Sequence, residues 1–143
     1  IICRKLKENI KKYSIDNVKL IIEPGRAIVA RSGVAIYTIG GIKEIPNLRK
    51  YVSVDGGMAD NIRPALYGSK YSLFSVNKAS LPHDEIVTIA GKYCETGDKL
   101  VENVALPMPE SNDLIAIPVS GAYNFSMSSN YNVSLRPAII LIK

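Results

Sequence analysis

The sequence contains no tryptophan, one histidine and two cysteines. Nowhere do about eighteen apolar residues run together, so a membrane-spanning helix is not expected. Cys3 and Cys94 stand far apart, which excludes a disulfide framework and zinc-ligand spacing. A reducing, cytoplasmic setting is the natural one for such a chain. His83 sits in Leu-Pro-His-Asp with no second histidine to share a metal, so it reads as a structural or surface residue and no metal site is expected. The opening segment IICRKLKENIKKY scatters its basic residues among apolar ones instead of placing them ahead, unlike a signal peptide. The chain does not begin with Met, as expected of a fragment or a trimmed chain.

The net charge is +5, but acidic residues are not scarce enough to define a polybasic protein. Arg4, Lys5, Lys7, Lys11 and Lys12 crowd into the first segment, and the other basic residues are dispersed. Without a basic stripe interleaved with aromatics, nucleic acid is not an expected partner. A solvated helix face accounts for the first cluster, and a general positive charge also suits anionic ligands.

What is present is apolar content, 47% of 143 residues, enough for a core and too much for disorder. Ile2, Leu6, Ile10 and Tyr13 recur with helical spacing, and Asp16 and Asn17 are expected to break that helix. Residues 18–22 (VKLII) then read as a short buried strand ending at Glu23-Pro24-Gly25-Arg26. A helix followed by a buried strand is the repeating step of an α/β barrel or a doubly wound sheet. The texture changes at 31–33. Runs at 33–45, 51–54, 71–76, 86–90, 100–105, 114–119 and 138–142 are short, rich in Val, Ile and Tyr, and punctuated by Gly, Pro, Asn and Asp. These predict a β-barrel or β-sandwich. The last run stops at Lys143, so a further end strand is expected. Two short helices are predicted between strands: one at 62–67, capped by Asn61 and ended by Gly68, and one within 121–132.

Several residue groups have chemical potential, each with a plainer alternative. Glu23-Pro24-Gly25-Arg26 lies at the carboxyl end of the expected strand, where βα-loops build sites. Gly25 permits close backbone approach and Arg26 offers a planar fork for phosphate or carboxylate. An ordinary polar turn explains the same residues. Asp55-Gly56-Gly57-Met58 signals either a tight turn or a close approach. Arg63 and Tyr67 share a helix face and could grip a carboxylate together, or simply face solvent. Cys94-Glu95-Thr96-Gly97-Asp98 follows a strand. Two carboxylates beside a cysteine favour the thiol over the thiolate, which suits a proton donor better than a nucleophile. A small apolar residue before a turn is the alternative. Tyr123, after Gly121-Ala122, could meet a phosphate beside free backbone donors, or be a buried aromatic. Asn124-Phe-Ser and Asn132-Val-Ser match a glycosylation pattern that a cytosolic chain would not use.

In order and spacing together, EPGR at 23–26, VDGGM at 54–58, NIRPALY at 61–67, CETGD at 94–98 and GAY at 121–123 resemble the carboxy-terminal half of diaminopimelate decarboxylases. These are fold-type III pyridoxal-phosphate enzymes, related to ornithine decarboxylase and, in fold, to alanine racemase. The resemblance runs from about Val18 to the end. It implies an α+β, mainly β chain: residues 1–32 as the last helix and strand of a TIM-type α/β barrel, and 33–143 as the C-terminal β domain. It implies pyridoxal 5'-phosphate as cofactor, with Glu23 at the pyridine nitrogen and Gly25, Arg26 and Tyr123 at the phosphate. Arg26, Arg63, Tyr67 and Tyr123 would border the substrate's carboxylates, Glu95 would take its distal ammonium, and Cys94 would be the proton donor. The family's site lies at a homodimer interface, so Cys94 and Glu95 would serve the partner's cofactor.

Three departures from the family pattern stand out. Thr96 replaces a serine, Ala27 replaces a serine, and no cofactor-anchoring lysine is identifiable. The family's lysine, a histidine and a glycine-rich loop lie in the early barrel, so the chain alone is expected to be inactive. Glu95, where ornithine decarboxylases usually carry Asp, favours diaminopimelate over ornithine, arginine or carboxynorspermidine. A non-catalytic homologue that binds a decarboxylase is the alternative of another class; the presence of all the site residues argues against it.

Overall fold

The computed structural model describes all 143 residues, Ile1–Lys143. Helix α1 spans Ile2–Tyr13 and is capped by Ser14 in the left-handed region, whose N–H donates to the Ile10 carbonyl. The helix therefore stops ahead of the expected break at Asp16 and Asn17. Residues 18–22 join no sheet, and Ile21 is 72% exposed. The strand expected there is absent because a strand exists only beside another strand, and none of this chain's strands lies next to it. A one-turn helix, α2 (Arg26–Val29), and a 3-10 turn at Ala30–Ser32 lead into the sheet.

One mixed sheet carries the fold. Its strands are β1 (Ala35–Ile45), β2 (Arg49–Val54), β3 (Phe74–Ser75), β4 (Glu85–Ala90), β5 (Lys99–Leu106) and β6 (Leu114–Ile117), in the order β3-β6-β1-β2-β4-β5. β1 serves two neighbours with different halves. Ala35–Thr38 pairs antiparallel with β6, and Ile39–Ile45 pairs antiparallel with β2 across an irregularity between Ile39 and Ile42. Gly40 and Gly41 occupy that irregularity, and Gly41 N–H donates to Ser53 Oγ at 2.9 Å. Such a bulge bends a strand and increases its twist, so the sheet curls in a barrel-like way and is not a two-sheet sandwich. β2 and β4 are parallel, and the crossover between them contains α3 (Arg63–Tyr67) and β3.

Alternation fills the inside of the curl. Val52 and Val54, Val87 and Ile89, and Ile115 and Ile117 point inward at period two and join Tyr37, Ile39, Leu73, Leu100 and Leu106 in one cluster. Each such side chain contributes about 1.5–3 kcal/mol on burial, so this cluster is the main source of stability. Tyr37 keeps its hydroxyl satisfied inside by donating to Asp60 Oδ2 at 2.6 Å. Burial, and then the neighbouring Asp60 carboxylate, push the Tyr37 phenol well above its ordinary range.

Two further expectations fail for local reasons. The expected helix in 121–132 is a series of turns with single 3-10 turns at Phe125–Met127 and Tyr131–Val133. Tyr123, Asn132 and Val133 have positive φ, which no right-handed helix admits. Residues 138–142 form no strand, and Ile140, Leu141 and Ile142 are exposed. β6 ends at Ile117, because Pro118 cannot donate to a ladder.

Candidate active site

Three chain segments meet at Tyr123. The turn bearing it is fastened to the start of the sheet: Ser120 N–H donates to Gly33 O at 2.9 Å, and Gly121 N–H to Ala30 O at 3.0 Å. A Cβ on Gly121 would lie 2.0 Å from Val29 O, so only glycine fits. Tyr123 itself adopts φ +66°, an unfavourable region for a tyrosine that costs on the order of 1 kcal/mol or more. The backbone twist brings the phenol to Gly25, where an added Cβ would sit 2.6 Å from Tyr123 Oη. Glycine at position 25 thus has a steric reason beyond a turn.

Two guanidinium groups lie against the same ring. Arg26 stands 5.3 Å and Arg63 5.2 Å from the Tyr123 centroid, and Arg63 is also 4.9 Å from the Tyr67 ring. These are cation–π distances. Arg63 Nη1 also donates to Met127 Sδ at 3.7 Å, while its Nε is buried without a hydrogen-bond partner. The side chain therefore comes from α3 already oriented. α3 has Pro64 in its first turn and ends at Gly68 in the left-handed region, as the sequence suggests. Asn61 does not cap it: Ile62 holds the N-cap position, and Asn61 is buried with both amide atoms unpartnered. The Asn124 amide, next to Tyr123, is likewise buried and unpartnered.

A second group forms around Asp98. Its carboxylate is buried and accepts Met58 N–H at 2.6 Å and Tyr93 N–H at 2.8 Å. Added Cβ atoms on Gly57 and Gly91 would lie 2.5 Å and 2.2 Å from its oxygens. The paired glycines at 56 and 57 thus serve close approach, the less ordinary of the two readings. Burial raises the Asp98 carboxyl above its usual range, and the two backbone donors oppose that shift. The result fastens the 94–98 loop to the 54–58 loop. Gly97 meets Ala65, its added Cβ reaching that methyl at 3.4 Å, so the loop also leans on α3.

On that loop Cys94 and Glu95 are both exposed. Tyr131 donates its hydroxyl to Glu95 Oε1, and its ring meets Tyr93 edge-on at 5.6 Å. The Tyr131 phenol is raised above its ordinary range, chiefly because it donates to the Glu95 carboxylate.

The structure thus brings Gly25, Arg26, Arg63, Tyr67 and Tyr123 together, and separately Cys94 with Glu95 on a fixed loop. No contact of Glu23 draws it into either group; it is exposed. Sequence reasoning missed Asp98, Met127 and Tyr131. Asp98 ends the CETGD motif, so it could have been found. Tyr131 sits in a Ser- and Asn-rich stretch and carried no signal. A groove of about 940 Å³ runs between the end of α3 and β5, lined among others by Pro64, Tyr71, Thr96 and Leu100, and includes none of the residues just named as site candidates. No group of three metal-ligating side chains occurs, and no helix is long and apolar enough to cross a membrane.

The residues at Tyr123 suit a phosphorylated anion: an arginine beside a phenol, and a glycine backbone with no Cβ in the way. Comparison with known proteins gives the family. Residues 13–121 match the family model described as pyridoxal-dependent decarboxylase, C-terminal sheet domain. The diaminopimelate decarboxylase of Bacillus subtilis (strain 168) is 46% identical over 142 residues, covering 99% of this chain and 32% of that protein. The diaminopimelate decarboxylase of Staphylococcus aureus (strain COL) is 48% identical, covering 96% of this chain and 33% of that protein. The crystal structure of diaminopimelate decarboxylase from M. jannaschii in co-complex with L-lysine superposes with a TM-score of 0.79 at 37% identity, over 96% of this chain and 30% of that one. The chain spans about a third of the length of these relatives.

Proposed function

The chain belongs to the pyridoxal-dependent decarboxylases, whose C-terminal sheet domain it carries, and on that premise we propose that the protein it serves releases carbon dioxide from diaminopimelate and forms lysine. The observation that carries this reading is the convergence of Gly25, Arg26 and Arg63 on Tyr123. Three motifs distant in sequence meet there, and each has a steric or electrostatic reason to be the residue it is.

The residues divide the work by charge. Arg26, Tyr123 and the Gly25 backbone hold the cofactor phosphate. Glu23 would hold the protonated pyridine nitrogen. Pyridoxal phosphate, when bound, supplies the electron sink that lets carbon dioxide depart. The substrate's distal end is zwitterionic, so its pocket needs a cation and an anion. Arg63, with Tyr67 beside it, takes the carboxylate, and Glu95 takes the ammonium. Cys94 Sγ–H would be the proton donor of the reaction.

In this reading residues 1–32 are the last helix and strand of a TIM-type α/β barrel, and 33–143 the β domain. The exposed Ile21 and Ile22 fit a strand whose neighbours belong to that barrel. The exposure of Cys94 and Glu95 fits a homodimer in which they complete the partner's site. Two free, exposed cysteines fit a reducing cytoplasm. The test is carbon dioxide release by the full-length enzyme from diaminopimelate and from ornithine at matched concentrations. Preference for diaminopimelate is expected; preference for ornithine, or release from neither, overturns the reading.

A further inference from the structure

Glu95 is an exposed carboxylate on a loop, and an exposed acidic side chain has several rotamers open to it. Yet one of its oxygens is held. Tyr131 Oη donates to Glu95 Oε1, leaving Oε2 without a protein partner. Tyr131 is not free to wander either. Its ring stands edge-on to Tyr93 at 5.6 Å and 79°, and Tyr93 is itself fixed by its N–H donating to the buried Asp98. The backbone of the 129–134 turn is pinned from the other side, since Ser129 N–H donates to Ala59 O at 2.8 Å and Asn130 Nδ2 to Ser134 O at 2.9 Å. A chain of contacts thus runs from the sheet through Asp98, Tyr93 and Tyr131 to one oxygen of Glu95.

We infer that Tyr131 is a positioning residue for substrate selection: by occupying Glu95 Oε1 it aims Oε2 at the substrate's distal ammonium. Tyr131 acts through Glu95, the group its hydroxyl holds. This rests on the decarboxylase reading of the site. Its consequence is specific to binding. A carboxylate fixed by a phenol has already lost its rotamer freedom before the ammonium arrives, so binding need not spend that entropy. Without the phenol, Glu95 must be ordered by the substrate itself. The same turn-rich segment carries Tyr123 and Met127 at its other end, so one stretch of chain serves both the phosphate group and the ammonium end.

The experiment is a double-mutant cycle in the full-length enzyme, reading KM and kcat for diaminopimelate in wild type, Tyr131→Phe, Glu95→Gln and the double variant. Phe keeps the ring against Tyr93 and removes only the hydroxyl. Tyr131→Phe should raise KM about five- to tenfold, the effect of losing one hydrogen bond of ordinary net worth at an exposed site, with kcat within about twofold. In the Glu95→Gln background the same change should move KM less than about twofold, because the group it positions is already altered. An equal rise in both backgrounds, a matching fall in kcat, or no rise at all overturns the inference. A wild-type enzyme that releases no carbon dioxide from diaminopimelate brings down the underlying reading instead, and the inference with it.

Discussion

The two halves of the site are built by different physics. The Tyr123 group gathers side chains from α2, α3 and a turn, none of them on a strand, and holds them by ring–guanidinium contact, a strained tyrosine and a glycine with no spare room. The Cys94 loop is a single stretch between β4 and β5, held by one buried carboxylate and two backbone donors. The first is assembled from afar, out of three motifs distant in sequence. The second is locally stapled and presents two exposed side chains, Cys94 and Glu95, from a fixed base. Under the proposed function, the first would hold the phosphate and a carboxylate, and the second would offer a proton and an ammonium partner from a base held rigid from beneath.

This contrast predicts different failures for the two halves. Cys94→Ala in the full-length enzyme should lower turnover by about 10²–10⁴-fold, the usual worth of a positioned acid, while cofactor absorbance persists. Unchanged turnover would remove the chemical role from the loop. Arg63→Ala should raise KM about tenfold to a hundredfold, from the loss of charge-assisted hydrogen bonds to a carboxylate. Cofactor affinity should change far less, and an equal loss of both in titration would mean that Arg63 matters as packing for Tyr123 alone.

Smaller effects probe the supports. Asp98→Ala leaves the Met58 and Tyr93 N–H groups unpartnered, and should destabilise the protein by about 1–3 kcal/mol in denaturant unfolding. Hydrogen exchange should speed up at those two amides first; unchanged exchange would show that the loop is held by something else. Gly25→Ala forces a methyl to within 2.6 Å of Tyr123 Oη, so the phenol must shift. Cofactor affinity should fall by about threefold to tenfold, equivalent to about 1 kcal/mol, with thermal stability nearly constant. A loss of stability without loss of cofactor affinity would make this contact structural.

The smallest effect lies outside both halves and serves as a control. Asp113 is buried, which pushes its carboxyl up, but donation by Lys78, Asn77 and the Glu110 N–H outweighs burial and holds it below the usual range. A lowered folded-state value means stability present above the unfolded carboxylate range, near 4, and lost as pH falls through the lower folded value. Asp98, raised by burial, has the opposite sign: its contribution is present below the unfolded range and fades as pH rises through the folded value. Asp113→Asn should therefore flatten the acid limb of a stability–pH curve and leave the Cys94 loop untouched. A steeper limb would reverse the assignment.

Much of the sheet was legible because strands advertise themselves locally. Short runs rich in Val, Ile and Tyr between Gly, Pro, Asn and Asp placed β2, β4, β5 and β6 within a few residues. The expected strands at 18–22 and 138–142 had the same apolar texture and did not form. Periodicity reports which residues want burial but not whether a neighbouring strand is there to bury them. The five motifs were legible as a set, while Tyr131 was invisible because its role is a contact made by a residue in turn-rich sequence.

Sequence alone therefore determined the apolar pattern of the strands, the helix stripe of α1, the turn glycines and the identity of the charged and nucleophilic side chains, since each depends on neighbours within a few positions. Tertiary structure alone decided that Gly25, Arg26, Arg63 and Tyr123 form one cluster, that Gly57 and Gly91 exist to admit Asp98, and that Tyr131 holds Glu95. Those are statements about distances between residues far apart along the chain. Such distances are set by how the sheet curls and where its connections cross, and no local pattern encodes them.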